Sequence, residues 1–275
     1  MRLAALAAVL CLPAAAAAPP AIDDAIEQLY NFNFQRSHEI LSAYIATHSQ
    51  EPLPYAFRAS AYLFYELDRL GILESEFLID DKKIADKKKL QPDPAVRNLF
   101  QKALEETQRR ADVILAADPN DRQALFAMCI AQGVATDYVA LVDKRQFQSL
   151  SIARKSNDYA QRLLRLEPSF YDAYLSTGIT EYMIGSLPFF IRWFVHFDNV
   201  NGSKDRGVEN LRLVARQGRY FKPFAKILLG IIALREKRPQ EAQGLLVELL
   251  RDYPQNPLFR KELAKLNLKL GVAAN

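Results

Sequence analysis

A chain of 275 residues, half of them hydrophobic and a quarter charged, carries enough apolar material for a sizeable core and lies outside the composition of disordered or collagen-like chains. Its formal net charge of +4 comes from interspersed acids and bases, which leaves no basic patch of the size a nucleic-acid partner requires. Scarce glycine and recurrent Ala, Leu, Glu, Lys, Arg and Gln favour helices over strands.

The first element is a leader. Arg2, an apolar run over residues 3–12, Pro13 and the alanines 14–18 follow the three-part layout of a secretory signal. Cleavage after Ala16 or Ala17 keeps Pro19 away from the cut. Residues 1–17 are therefore expected to be removed, and 18–275 to form one exported domain, periplasmic or secreted. A membrane anchor needs about 20 apolar residues, and the run before Pro13 is too short. No later run reaches that length, so no transmembrane span is expected and membrane contact would be peripheral only. Loss of Cys11 leaves Cys129 as the single cysteine, which excludes an internal disulfide and, in its apolar surroundings, points to burial.

Apolar residues at three- and four-residue spacing place helices over 21–33, 36–48, 53–70, 95–117, 121–140, 146–166, 170–185, 203–217, 222–236, 239–252 and 256–270. Asp23 and Asp24 suit the dipole at a helix start, and Ser203 suits an N-cap. Several helical segments close on similar punctuation, Asp118-Pro119-Asn120, Glu167-Pro168-Ser169 and Tyr253-Pro254-Gln255. Insertions are expected near 71–94 and 186–202. The first holds the mixed-charge block 80–89, read as a solvated loop or salt-bridged helix, or as a docking site for an anionic partner.

The last unit is the most regular. With Pro223 as its first residue, Leu229 and Gly230 fall seventh and eighth, Ala242 twentieth, Leu246 twenty-fourth and Pro254 thirty-second, within a period of about 34 residues. These are the signature places of the tetratricopeptide repeat, which the chain resembles over most of residues 20–256. Looser units carry Tyr174, Gly178, Gly207 and Leu211, then Leu125 and Met128, then Ala59 and Ala111, then Ala25, Ser37 and Leu41. The stretch 182–188 with Lys204, Gly207, Val208 and Leu211 is also similar to eukaryotic tetratricopeptide proteins linked to inclusion-body clearance. The resemblance implies an all-α, irregular solenoid of about five helix pairs, in which small residues let paired helices approach. The helix after Pro257 would cap its open end.

In proteins of this kind the first helix of each unit lines a concave groove. The corresponding places here are Phe126, Ile130 and Gly133, then Leu175, Ile179 and Tyr182, then Ile227, Ile231 and Leu234, an unusually apolar inner face. Beside it, the 186–202 insertion carries Phe189, Phe190, Arg192, Trp193, Phe194 and Phe197. These aromatics would either plug the groove or form an exposed contact surface.

His38, His48 and His196 lie far apart, and no nucleophile elbow, phosphate loop or dinucleotide fingerprint occurs. No metal, no cofactor and no enzymatic activity is expected. A hydrolase or lyase built on scattered acids has no motif behind it. The leading expectation is an interaction or scaffold protein that binds a protein partner through the inner face and the aromatic insertion. The alternative is a carrier or sensor of an apolar small molecule or lipid held against the same face.

Overall fold

A computed structural model describes residues 20–80, 90–186 and 202–271. Among them there is no strand. Twelve helices follow one another: α1 (Pro20–Tyr30), α2 (Phe34–Thr47), α3 (Leu53–Arg69), α4 (Ser75–Leu78), α5 (Pro94–Ala117), α6 (Arg122–Asp137), α7 (Gln146–Leu166), α8 (Tyr174–Ser186), α9 (Lys204–Gln217), α10 (Lys222–Arg235), α11 (Pro239–Asp252) and α12 (Pro257–Leu270). A π-helical turn, Tyr138–Val142, continues α6. The expected helices are all present, and among the described residues the sequence reading missed the four-residue α4.

Local chemistry sets the helix ends. Asp93 accepts the amides of Ala95 and Val96 ahead of α5, and Asp121 that of Ala124 ahead of α6. Ser203 accepts that of Arg206 ahead of α9, as its N-cap reading anticipated. Asn256 accepts those of Leu258 and Phe259 ahead of α12. Each such bond satisfies a donor that the first helical turn leaves orphaned. Proline stands in the first turn of α3, α5, α10, α11 and α12, where its missing N–H costs nothing.

The helices pack as consecutive pairs, α1 with α2, α3 with α5, α6 with α7, α8 with α9 and α10 with α11, and α12 lies on α11. The architecture is all-α and solenoid-like. Close approach is visible in the fourth pair: a Cβ on Gly207 of α9 would lie 2.6 Å from the Tyr182 nitrogen and 2.8 Å from the Gly178 carbonyl of α8. The last pair differs from expectation, because a Cβ on Gly230 would meet nothing within 4 Å. Its close packing rests on Ala225, Ala233 and Ala242, all fully buried, and Gly230 leaves space instead.

The stack does not end openly. The Tyr30 hydroxyl donates to the Tyr220 carbonyl (3.2 Å), Asn256 Nδ2 to the Tyr30 carbonyl (2.6 Å), and the Gln255 amide to Asn31 Oδ1 (3.2 Å). Asp23 does more than serve the α1 dipole: its carboxylate receives Arg219 at 2.6 and 3.0 Å. The segment after α3 crosses to the same end. Glu74 meets Lys261 (2.6 Å) and Lys265 (2.9 Å), Ser75 bonds Glu262, and Arg235 donates to the Leu78 carbonyl (3.0 Å). The first pair and the first insertion thus join the last pair, so α12 seals a joint rather than a free end.

The core follows that closure. Phe57, Leu125, Phe126, Leu163 and Tyr220 are buried in its largest cluster, with residues from α1, α2, α3, α6, α7 and the turn before α10. Residues Arg122–Val142 form the one described helix whose length and composition would suffice to cross a membrane, which corrects the expectation that no apolar run is long enough; more than half of it is buried inside the fold.

A candidate apolar cavity on the inner face

Where the first helices of the pairs converge, they enclose a cavity of about 110 Å3, partly open to solvent. Its wall is mainly apolar, with Ile26, Phe57, Phe64, Ile130, Leu175 and Ile179 from four helices and Phe221 and Phe224 from the start of the last pair. Gly133 leaves room there: a Cβ at that position would reach only Ser156 Oγ, at 3.6 Å.

The inner-face residues named from sequence do not share one groove. Ile130, Gly133, Leu175 and Ile179 line this cavity. Phe126 does not line it: it is 0% exposed, with ring centroids 4.8 Å from Phe170 and 5.8 Å from Tyr220. Closure of the stack brings the Tyr220 turn over it. Tyr182 is buried with Leu211, Val214 and Leu229 between α8, α9 and α10. Ile227, Ile231 and Leu234 line a separate cavity of about 100 Å3, walled by α10, α11, α12 and by Leu73, Ser75 and Ile79 of the crossing segment. Phe189, Phe190, Arg192, Trp193, Phe194 and Phe197 lie outside the described residues.

Most polar groups in the first cavity are already engaged. Ser156 Oγ donates to the Cys129 carbonyl (2.9 Å) and lies 3.0 Å from Ser176 Oγ. Ser60 bonds the Ala56 carbonyl, Thr136 the Gln132 carbonyl, and Tyr30 the Tyr220 carbonyl. Asp172 accepts the backbone amides of Arg219 (2.9 Å), Tyr220 (3.1 Å) and Phe221 (2.8 Å). It fastens the turn before α10, although burial still holds its carboxyl above the ordinary range. Cys129 is buried as anticipated, and burial pushes its thiol up to about 11.

Asp137 is different. It closes α6 where the helix widens into the π turn, a distortion that recurs at functional sites. Its side chain lines the cavity and has no hydrogen-bond or ion-pair partner among the described residues. Burial alone pushes its carboxyl up to about 7, because a low-dielectric surrounding disfavours the charged form. Thr180 of α8, which also lines the cavity, likewise has no side-chain partner among the described residues.

The sequence reading passed over Asp137, yet a signal was present: it is the single acid between Arg122 and Val142 in an otherwise apolar helix. Phe57, Phe64, Phe221 and Phe224 had no comparable mark, since their convergence depends on closure. His38 and His48 sit on neighbouring aromatic rings, Tyr62 and Tyr44, with centroids 4.1 Å apart in each case. Among the described residues no group of three His, Cys, Asp or Glu side chains could hold a metal ion. Comparison with protein-family models, curated proteins and solved structures gives no match to this chain.

Proposed function

We propose that this chain is a non-enzymatic, exported binding protein of tetratricopeptide-like architecture whose inner face holds a small apolar molecule. The supporting observation is the closure of the helix stack. An open solenoid offers a groove along which a peptide can lie, whereas here the inner face is divided, and Ile130, Gly133, Leu175 and Ile179 line a cavity of about 110 Å3. Cavities of the order of 150 Å3 hold a single aromatic ring, and mostly apolar walls with a few convergent polar groups are the usual character of small-molecule sites. Export rests on Arg2, the apolar run 3–12 and the alanines before Pro19. Native mass spectrometry of gently purified protein tests the reading. A co-purifying small apolar molecule, displaced when Ile179→Trp fills the cavity, is the expected result, and a bare mass for the unaltered chain counts against it.

The second reading is a scaffold that docks a protein partner, and Phe147 favours it. This residue is 92% exposed at the start of α7, with Leu150 exposed one turn later. Phe147→Ser would weaken such a complex and leave cavity occupancy unchanged.

A further inference from the structure

The chemistry of the cavity narrows what it takes. An ionisable carboxyl without a partner inside an apolar wall is costly to the folded chain, and Asp137 is such a group. The other titratable groups on the wall do not answer it: Asp172 is an acid bound by three amides, Tyr30 donates to a carbonyl, and Cys129 is a buried thiol. The wall residues from α3, α7, α8 and α10 include no charged side chain. Among the described residues an anionic ligand would therefore meet a carboxyl, no cation, and hydroxyls whose protons are mostly committed to carbonyls. A cation meets an acceptor that no other described side chain or amide engages.

We propose, building on the reading of this cavity as a ligand site, that its occupant is a small apolar molecule bearing one ammonium group, with Asp137 as counter-ion and the Thr180 hydroxyl as a second acceptor. The apolar body occupies the space between Ile130, Leu175, Ile179 and Phe224, and the ammonium lies toward the C-terminal end of α6. Binding then pairs the desolvated Asp137 carboxyl, and a charge-assisted hydrogen bond is stronger than a neutral one. The same logic makes binding pH-dependent. As pH rises from 5 to 8 the carboxyl loses its proton while the amine keeps its own, so affinity for the amine increases over that window.

Three one-ring probes test this on the full mature chain by calorimetry: benzylamine, its neutral near-isostere ethylbenzene, and benzoate. Benzylamine is expected to bind more tightly than benzoate by at least about tenfold, and more tightly at pH 8 than at pH 5. Asp137→Asn is expected to weaken benzylamine about tenfold or more, to flatten its pH dependence, and to leave ethylbenzene within about twofold. Equal binding of benzylamine and benzoate, a pH-independent benzylamine affinity in the unaltered chain, or an unchanged benzylamine affinity in Asp137→Asn would overturn the assignment. If ethylbenzene still binds in those cases, the cavity is a ligand site without the ammonium preference. If none of the three binds, the reading of the cavity as a ligand site fails as well. The pH series on the unaltered chain needs no variant, so the test survives a variant that folds poorly.

Discussion

The side chain of Asn256 donates to the carbonyl of Tyr30 at 2.6 Å, joining residues 226 positions apart, while its oxygen caps α12 through the amides of Leu258 and Phe259. One fully buried amide thus starts the last helix and ties it to the end of the first. Asn256→Ala removes the cap and leaves a buried carbonyl unpaired, so a loss of about 2–4 kcal/mol is expected in urea unfolding. Asn256→Asp keeps the cap and loses the donor, so it should fall between the two. An alanine variant as stable as the parent would mean that the two ends are not held together here.

Two glycines, in the fourth and the last helix pair, should respond in opposite directions. Gly207→Ala places a methyl group against the backbone of Tyr182 and Gly178; overpacking of that kind costs about 1–3 kcal/mol. Gly230→Ala meets open space within a helix, and the gain in helix propensity should stabilise by about 0.5–1 kcal/mol. Thermal unfolding of both variants decides the matter, and equal shifts would contradict the packing described.

Asp137 should make the ligand-free protein less stable as pH rises. Its carboxyl is pushed up to about 7 by burial, against about 3.9 in an unfolded chain. The folded state therefore holds a proton that the unfolded state has lost. Stability from this group is full below about pH 4 and is lost as pH rises through about 7. Asp137→Asn should accordingly gain more stability over the parent at pH 8 than at pH 5. The same difference at both pH values would show that Asp137 is ionised and solvated throughout.

His38 titrates in the other sense. Burial, with the nearby Arg58 charge, holds its imidazole down to about 4, and its Nδ1 is buried without a partner. Stability from the neutral ring is present above the unfolded value of about 6.5 and is lost as pH falls through about 4. Proton NMR should find the ring neutral at pH 6, and a midpoint near 6.5 would refute its burial against Tyr62.

Sequence by itself determined the helices, because their signals are local: apolar residues recurring every three to four positions, closing punctuation such as Asp118-Pro119-Asn120, and Ser203 as a cap. It also indicated the pairing that Gly178 and Gly207 permit and the burial of Cys129. Only the tertiary structure decided that the stack closes. Tyr30 meeting Tyr220 and Asn256, and Glu74 meeting Lys261 and Lys265, are contacts between distant residues that no periodicity records. Closure is what buried Phe126, parted Ile227 and Ile231 from Leu175 and Ile179, and left Asp137 in an apolar cavity. A side chain's face on its helix follows from spacing, but whether that face meets solvent, a core or a cavity depends on where the far end of the chain comes to rest.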